Sequence, residues 1–241
     1  MLRILLTNDD GIDAAGLAAL ETASRAALPN AHIFIAAPAT VHSQGGHRVT
    51  THTPLRAEPR GEDRWAIHGS PADCVRIALR ALDLTPDWVF SGINEGGNMG
   101  QDLPISGTVA AVREAAYHGV RGMAFSHFIR HEIPLDWAVV TPWVADLISE
   151  QKNASLERGT FWNFNLPHLP GATNQPLPRP EIVDTQPAHS PLPVRYAALP
   201  HAEDGSLLFQ YTGRYAERPA DGGSDVEACF SGRISRSQIS I

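Results

Sequence analysis

The sequence has little of what characterises secreted, membrane-spanning or nucleic-acid-binding proteins. It contains only two cysteines in 241 residues, and the spacing of Cys74 and Cys229 matches no metal-binding motif, so we expect reduced thiols without a disulfide framework. No apolar run is long enough to span a bilayer, and the apolar N-terminal segment lacks the pattern of a signal peptide. A formal net charge of −7 argues against a nucleic acid polymer as the main partner. These absences predict a cytoplasmic protein whose partner is neither a membrane nor a nucleic acid polymer.

Three common motifs for phosphate or metal binding are absent as well. No lysine follows Gly107, which excludes the Walker A motif of P-loop proteins. The glycines at 96–100 lie in the middle of a predicted loop and do not open a helix after a strand, so they do not form a dinucleotide-binding motif. His127 and His131 have helical spacing but lack the glutamate of the His-Glu-x-x-His zinc motif. A ligand site in this chain must therefore be built in another way.

Strand-like and helix-like segments alternate along the first 165 residues. Short apolar runs that end in turn residues predict buried strands, and longer segments with helical spacing of apolar residues predict helices. The segment that begins at Ser70 also has a good helix N-cap, followed by Pro71 and by Asp73 in the first turn. The predicted strands are 2–7, 32–37, 48–56, 64–68, 87–91, 122–126 and 160–165, and the predicted helices are 14–28, 70–84, 108–118 and 135–150. This order predicts an α/β fold with a doubly wound, mainly parallel, Rossmann-like sheet.

The pattern changes in the last third of the chain. Residues 167–200 are rich in proline and contain no convincing helix. The predicted elements beyond them are two hairpin strands at 194–198 and 206–212, a short helix at 225–230 and a last strand at 233–241. We interpret 1–165 as the catalytic core and 166–241 as a β-rich C-terminal extension of the same structural domain, which serves for oligomerisation.

Two adjacent carboxylates, Asp9 and Asp10, follow the first predicted strand directly. In an open parallel sheet all carboxyl ends of strands meet at one edge, and ligands bind there near the switch point. Neighbouring carboxylates repel each other, which raises one pKa unless a cation is bound. A hard divalent ion such as Mg²⁺ or Mn²⁺ prefers such oxygen ligands. Taken alone, however, the pair is explained equally well as a helix N-cap next to a solvated acid.

A glycine-rich loop follows the strand predicted at 87–91. It has five glycines between residues 92 and 107, which would be costly in conformational entropy for a mere connection. Ser106, Gly107 and Thr108 lead directly from this loop into a helix, so their free N–H groups and hydroxyls form a ready phosphate site. The structural alternative is a long surface loop rich in turns.

Further polar groups are expected at the same edge. The loop at 37–50 carries the hydroxyl of Ser43, although alone it is typical of any hydrophilic loop. The amides of Asn94 and Asn98 can offer an oxygen to a metal or an N–H₂ group to a phosphoryl oxygen. Acidic ligands from one strand end, a hydroxyl from a second loop and a phosphate cradle from a third together predict a site for metal-assisted phosphoryl transfer.

These segments resemble the SurE family of 5′/3′-nucleotidases, also called survival protein E. The match covers residues 1 to about 125 in the family's order and spacing, and a looser match continues with the Asn-x-Asn-x-Pro segment at 163–167. The segments that carry it are RILLTNDDGI at 3–12, Ala37-Pro38 with Ser43 five residues on, GSPADCV at 69–75, SGIN at 91–94 and SGTVAA at 106–111. The chain departs from the family pattern at 44–48 and at 103–105, which leaves the substrate preference open.

The resemblance implies the chemistry and the assembly. One divalent metal ion per subunit, Mg²⁺ or Mn²⁺, would be held by Asp9, Asp10, Ser43 and Asn94, and the phosphate contacts would come from Asn98, Ser106, Gly107 and Thr108. Family members hydrolyse nucleoside monophosphates, some also cleave short polyphosphate, and they form homodimers or homotetramers by exchanging C-terminal β-elements. We therefore expect a 5′-nucleotidase, a phosphoric monoester hydrolase, with Asp9 and Asp10 as catalytic residues. Asp9 either orients the attacking water or attacks phosphorus itself.

Alternatives from other classes stay open at this point. An aspartyl-phosphate phosphatase of the haloacid-dehalogenase type needs aspartates at i and i+2, and the position two after Asp9 is Gly11. A non-catalytic nucleotide-binding module could share the fold and the phosphate cradle, but it would not need adjacent carboxylates. An oligomeric scaffold that keeps its site as a relic is disfavoured by the intact ligand set. His47, in the loop at 37–50, is a candidate for a phosphate contact or an acid.

Overall fold

The apolar runs of the sequence form the strands of one large sheet. The computed structural model describes residues 1–42, 45–170, 177–202 and 204–241. The strands are β1 (Arg3–Thr7), β2 (His32–Pro38), β3 (Ala57–Gly61), β4 (Arg64–Ile67), β5 (Trp88–Glu95), β6 (Arg121–His127), β7 (Thr160–Leu166), β8 (Ile182–Asp184), β9 (Tyr196–Leu199), β10 (Leu208–Tyr211) and β11 (Ile234–Ser240). The helices are α1 (Ala15–Ala27), α2 (Pro71–Arg80), α3 (Gly107–Tyr117), α4 (Trp137–Gln151) and α5 (Asp225–Phe230).

The sheet topology is that of a doubly wound α/β protein. Within the described ranges the sheet has nine strands in the order β3-β4-β2-β1-β5-β6-β7-β11-β8. The six strands from β4 to β7 run parallel to one another, whereas β3 and β11 are antiparallel to their neighbours β4 and β7. The chain leaves β1 towards β2 and later returns to β5 on the other side of β1, so the topological switch point lies between β1 and β5. The predicted fold class is confirmed, and the switch point marks where a ligand is expected.

Helices cover both faces of the sheet, because successive side chains of the central strand point to opposite faces. Leu6 packs in one apolar cluster with residues of α1 and α4, such as Leu17 and Val144. Leu5, its neighbour in β1, packs in a second cluster with residues of α2 and α3. Burial on both faces explains the uninterrupted apolar run in this strand. None of the helices in the described parts of the chain is long and apolar enough to cross a membrane.

Three differences from the sequence prediction affect whole elements or site residues, beyond shifts of a few residues at element ends. The strand predicted at 48–56 is wrong, because this segment is irregular and the edge strand begins only at Ala57. The backbone N–H and the hydroxyl of Thr50 both donate to Asp73 over 2.8 Å, so side-chain bonds replace a strand ladder here. β5 continues to Glu95, so that Asn94 lies on a strand and not in a loop. The short strand β8 lies inside the proline-rich segment at 167–200, for which no strand was predicted before 194.

The C-terminal residues form two strands of the main sheet and a separate hairpin outside it. β11 pairs with β7 on one side and with β8 on the other, as two further strands of the main sheet. The hairpin predicted in this region is present, since β9 and β10 pair antiparallel in a separate two-stranded sheet. The segment between this hairpin and α5 contacts the glycine-rich loop after β5.

Candidate active site

A tight turn after β1 presents the two aspartates. The side chain of Asn8 closes this turn, since its Nδ2 donates to the carbonyl of Gly11 over 2.9 Å and its Oδ1 accepts from the Gly11 N–H over 3.2 Å. Gly11 has a φ of 105°, a conformation that other residues adopt only at a cost. The Asn-Asp-Asp-Gly sequence therefore fixes Asp9 and Asp10 at the switch point.

Asp9 lies against the N-terminus of α3. Asp9 is 4% exposed, and its Oδ1 accepts from the hydroxyl of Thr108 over 2.5 Å. Burial raises the pKa of Asp9, while hydrogen bonds from Thr108 and from the backbone N–H of Gly107 partly offset this. A Cβ added at Gly107 would lie 2.7 Å from the Asp9 Cβ, so a side chain at this position would push the two elements apart. The glycine that the sequence suggested for phosphate binding is thus also required for the approach of Asp9.

Asp10 faces the end of the neighbouring strand β5. Its Oδ2 accepts from the backbone N–H of Glu95 over 3.3 Å. Burial, followed by the charges of Asp9 and Glu95, raises the pKa of Asp10 to about 6. Two adjacent carboxylates with raised pKa values form an environment that a bound cation would stabilise, because its positive charge removes their repulsion.

Asn94 lies beside this pair, whereas the description of the structure does not include Ser43. The Nδ2 of Asn94 donates to the carbonyl of Gly96 over 2.8 Å, and among the described residues no group donates to its Oδ1. Ser43 falls outside the described ranges, so its predicted role as a ligand is not tested. The backbone N–H of His42, the residue before it, donates to the Asp9 carbonyl over 2.8 Å. The chain that leads to Ser43 is thus held next to the end of β1.

Asn98 is buried in a network of amides that the sequence analysis did not anticipate. Its backbone N–H donates to Asn165 Oδ1 over 2.8 Å, and its carbonyl accepts from the Nδ2 atoms of Asn163 and Asn165. Its own Nδ2 donates to the Ser126 hydroxyl over 2.8 Å. The Asn-x-Asn segment at the end of β7 therefore positions the loop that carries Asn98. The only sequence signal for this function was the family resemblance at 163–167.

The remaining predicted phosphate residues cap α3. The hydroxyl oxygen of Ser106 accepts from the Val109 N–H over 3.1 Å, which is the N-cap bond of this helix. The hydroxyl hydrogen of Ser106 is not used by this bond. Gly107 and Thr108 follow as the first residues of α3, so the predicted helix N-terminus is present next to the two aspartates.

His47 does not lie with these groups. Its Nε2 contacts Glu114 Oε2 over 2.6 Å, on the second turn of α3 and away from the helix N-terminus. The hypothesis that His47 contacts phosphate or serves as an acid receives no support from this position. The partner of His47 is a carboxylate 67 residues away in the sequence, and no local sequence pattern predicts such a distant partner.

Three residues from the C-terminal part of the chain fix the loop between Asn94 and α3. We name them the C-terminal clamp: Tyr215, Arg218 and Asp225. The Arg218 side chain is 1% exposed; it donates to Asp102 Oδ2 over 2.6 Å and to the Met99 carbonyl over 3.0 Å. The Tyr215 hydroxyl also donates to Asp102 Oδ2, over 2.6 Å.

Asp225 completes the C-terminal clamp, since its Oδ2 accepts from the Gly100 N–H over 2.8 Å. The sequence analysis missed all three residues of the clamp. Their partners are more than 100 residues away, so the sequence held no signal for them.

The combined donor set suits a hard cation more than a soft one. Across the described residues, no group of three or more His, Cys, Asp or Glu side chains is placed to hold a metal. The groups at the switch point are instead two carboxylates and neutral oxygens, the ligand types that Mg²⁺ and Mn²⁺ use. Both cysteines are buried and free, and they lie outside this set.

Comparisons with known proteins show which family the chain is similar to. The model of the family "Survival protein SurE" matches residues 4–185. A curated protein from Nostoc sp., described as a candidate 5′-nucleotidase, is 44% identical over 241 residues and the match covers 100% of both chains. The 5′-nucleotidase SurE of Allorhizobium ampelinum is 44% identical over 172 residues, which are 69% of this chain and 66% of that protein. The crystal structure of a SurE protein from Aquifex aeolicus has a TM-score of 0.83 and 27% identity and covers 99% of this chain and 93% of the other.

Proposed function

Because the chain belongs to the survival protein SurE family, we propose that it is a 5′-nucleotidase that hydrolyses nucleoside monophosphates with one divalent metal ion per subunit. The observation that carries the proposal is the convergence of Asp9, Asp10 and Asn94 with the N-terminus of α3 at the switch point of the sheet. An anionic substrate and a cation would meet there. Short polyphosphate is a further substrate in this proposal, because its terminal group is also a phosphoryl group.

The donor set fits a divalent metal. Asp9, Asp10, Ser43 and Asn94 would supply two carboxylates, a hydroxyl and an amide oxygen. The raised pKa values of both aspartates support this, since the carboxylate pair lacks a counter-charge of its own. When bound, the ion would neutralise charge on the phosphoryl oxygens and lower the barrier to attack.

The residues of the chain would bind the phosphate and position the attacking water. The N-terminal turn of α3, formed by Ser106, Gly107 and Thr108, binds phosphoryl oxygens at the positive end of the α3 dipole. Asn98 adds an amide contact from a loop that the Asn-x-Asn segment holds rigid. Asp9 orients the water that attacks phosphorus in line. A P–O bond to the water oxygen forms as the ester P–O bond breaks, and a proton lost by the water reaches the leaving oxygen through solvent.

A panel of phosphate esters tests the proposal. We expect hydrolysis of 5′- or 3′-nucleoside monophosphates in the presence of Mg²⁺ or Mn²⁺, and a rate at least about 100-fold lower with EDTA, because a catalytic metal contributes several kcal/mol. An aryl phosphate and tripolyphosphate complete the panel. Nucleotide binding without turnover in either metal would contradict the proposal and would instead support the non-catalytic binding module.

Metal affinity should also depend on pH. The pKa of Asp10 is raised to about 6, so in the metal-free protein a proton occupies this carboxyl below that pH and must leave before a metal binds. The dissociation constant for Mn²⁺, measured by calorimetry, is expected to be constant above about pH 7 and to rise about tenfold per pH unit below pH 6. The variant Asp10→Asn should bind more weakly and with a flatter profile. An unchanged affinity between pH 5 and pH 7.5 in the parent protein would count against Asp10 as a ligand.

The exposed hairpin supports a proposal for the assembly. β9 and β10 form a separate two-stranded sheet whose apolar side chains, among them Tyr196 and Phe209, are exposed. An isolated hairpin is only marginally stable in water, and an exposed apolar patch of this kind marks an interaction site. We propose that it contacts a second copy in a homodimer or homotetramer, in the cytoplasm. A monomeric mass of the intact chain in sedimentation equilibrium would contradict this assembly.

A further inference from the structure

A second concave surface lies between α2 and α3, outside the candidate active site. It is a cleft of about 810 Å³, and none of the residues that line it belongs to the proposed metal or phosphate groups. We name it the arginine cleft, because Arg76, Arg80 and Arg113 line it together with His47, Glu114 and Tyr117. Its size lies in the range of pockets that hold small molecules of nucleotide dimensions.

Among the described residues that line the arginine cleft, Glu114 is the only carboxylate, and it already has three partners. The side chain of Glu114 is 2% exposed and accepts from His47 and Arg76 over 2.6 Å each and from His118 over 3.1 Å. Burial alone would raise the pKa of Glu114, but the bonds from His47 and Arg76 lower it to about 2. Glu114 thus remains ionised and balances one of the three guanidinium charges.

The other two arginines have neutral partners only. Arg80 donates to the ring nitrogen Nδ1 of His118 over 3.0 Å, and Arg113 donates to the carbonyl of Leu103 over 2.9 Å. In the described parts of the chain no carboxylate forms an ion pair with either of them. Arg113 is half-buried, and burial lowers its pKa, as expected for a cation without a counter-charge. The arginine cleft therefore carries an excess of two positive charges with the histidines neutral.

The arginine cleft also offers an apolar surface for a planar group. Tyr117 is 57% exposed, and its ring packs edge-on against His47 at a centroid distance of 5.9 Å. An exposed aromatic ring can stack with another ring. Val49 extends the apolar part of the wall. Positive charge and an exposed aromatic ring within one cleft match a ligand that has both an anionic and an aromatic end.

We propose that the arginine cleft is a second binding site, which takes a nucleoside phosphate independently of the catalytic site. Arg80 and Arg113 bind the phosphate, since the planar guanidinium group can form paired hydrogen bonds to phosphate oxygens. The nucleobase stacks on Tyr117. The two proposals stand apart, because among the described residues the cleft and the catalytic site have none in common, and each can fail without the other.

Calorimetric titration of the intact, metal-free protein with ADP in EDTA tests the second site. We expect the dissociation constant to rise at least about tenfold in Arg80→Gln, in line with the loss of one charge-assisted hydrogen bond. The matched control is Arg25→Gln, since Arg25 occupies the last turn of α1 as Arg80 does in α2 and both are exposed. Tyr117→Ala should weaken ADP but leave the affinity for inorganic pyrophosphate unchanged.

The variant Thr108→Val separates the two sites, because it alters only the catalytic one. ADP binding that survives Thr108→Val and is weakened in Arg80→Gln supports the arginine cleft. The reverse pattern, or no binding of ADP by the parent protein, would overturn the proposal. A change of oligomeric mass in Arg80→Gln without a change in ADP affinity would also overturn it, because the cleft would then be filled by a second copy of the chain.

Discussion

Replacing Asp9 with asparagine is expected to lower the hydrolysis of an aryl phosphate in the presence of Mn²⁺ by about 100- to 10,000-fold, the effect expected when a group that positions the attacking water is lost. The substitution removes the negative charge that would both bind the cation and orient the attacking water. It keeps the shape of the side chain, so the hydroxyl of Thr108 can still donate to an oxygen at the same place. The loss should therefore appear in the rate and not in the fold.

Stability measurements separate these two effects. Because burial raises the pKa of Asp9, ionising this carboxyl in the folded protein is unfavourable, and Asp9→Asn is expected not to lower the free energy of unfolding of the metal-free protein. Asp13→Asn is the matched control, since Asp13 follows in the same turn region but is exposed. Near-normal turnover in a folded Asp9→Asn protein would contradict the assigned role of this residue. An unfolded variant would contradict the argument about its stability.

Replacing Arg218 with methionine is expected to lower the free energy of unfolding by about 3–5 kcal/mol, the usual cost of breaking a buried ion pair. Arg218 lies in the interior and donates to Asp102 and to the Met99 carbonyl. Its removal leaves the Asp102 carboxylate buried without a cation, and only the Tyr215 hydroxyl and backbone groups remain around it. Urea denaturation followed by tryptophan fluorescence measures the change.

The controls for this prediction come from the same segment. Arg214, four residues earlier, is largely exposed and forms only a 3.8 Å ion pair, so Arg214→Met should change the stability by less than about 1 kcal/mol. Replacing Arg218 and Asp102 together, by methionine and leucine, should recover part of the loss, because no buried charge is then left unpaired. Equal stability of Arg218→Met and the parent protein would show that the C-terminal clamp does not hold the loop.

The C-terminal clamp would link the proposed assembly to the proposed catalytic site. Tyr215 and Arg218 follow the exposed hairpin closely in the chain, and both bond to the loop that carries Asn98. A hairpin that contacts a second copy would therefore be continuous with the residues that hold one side of the catalytic site. The proposed oligomer and the proposed activity are expected to be lost together when this segment is disturbed.

The alternative of an aspartyl-phosphate phosphatase is further weakened by the turn after β1. Such an enzyme needs an acid two residues after its nucleophile, where this chain has Gly11. The structure shows why the position suits a glycine, since its φ of 105° and its bonds to Asn8 close the turn. An acid introduced there would strain the turn that positions Asp9.

Much of the local structure could be predicted because local residues determine it. The apolar run of β1 and the capped start of α2 appear where the sequence indicated them. Errors concern segments whose partners are distant, as at 48–56, where Thr50 bonds to Asp73 in place of a neighbouring strand.

The Asp9 and Asp10 pair shows what the sequence alone predicts and what only the tertiary structure reveals. The sequence by itself determined that two carboxylates follow a buried strand and that a glycine opens α3, because strand ends and helix caps are local properties. Only the tertiary structure decided that Asp9 lies against Thr108 and that Arg218 fixes the loop between Asn94 and α3. The same holds for the two arginines near Glu114, which form no ion pair among the described residues. These contacts join residues far apart in the chain, and burial, which gives them their energy, exists only after the sheet has assembled.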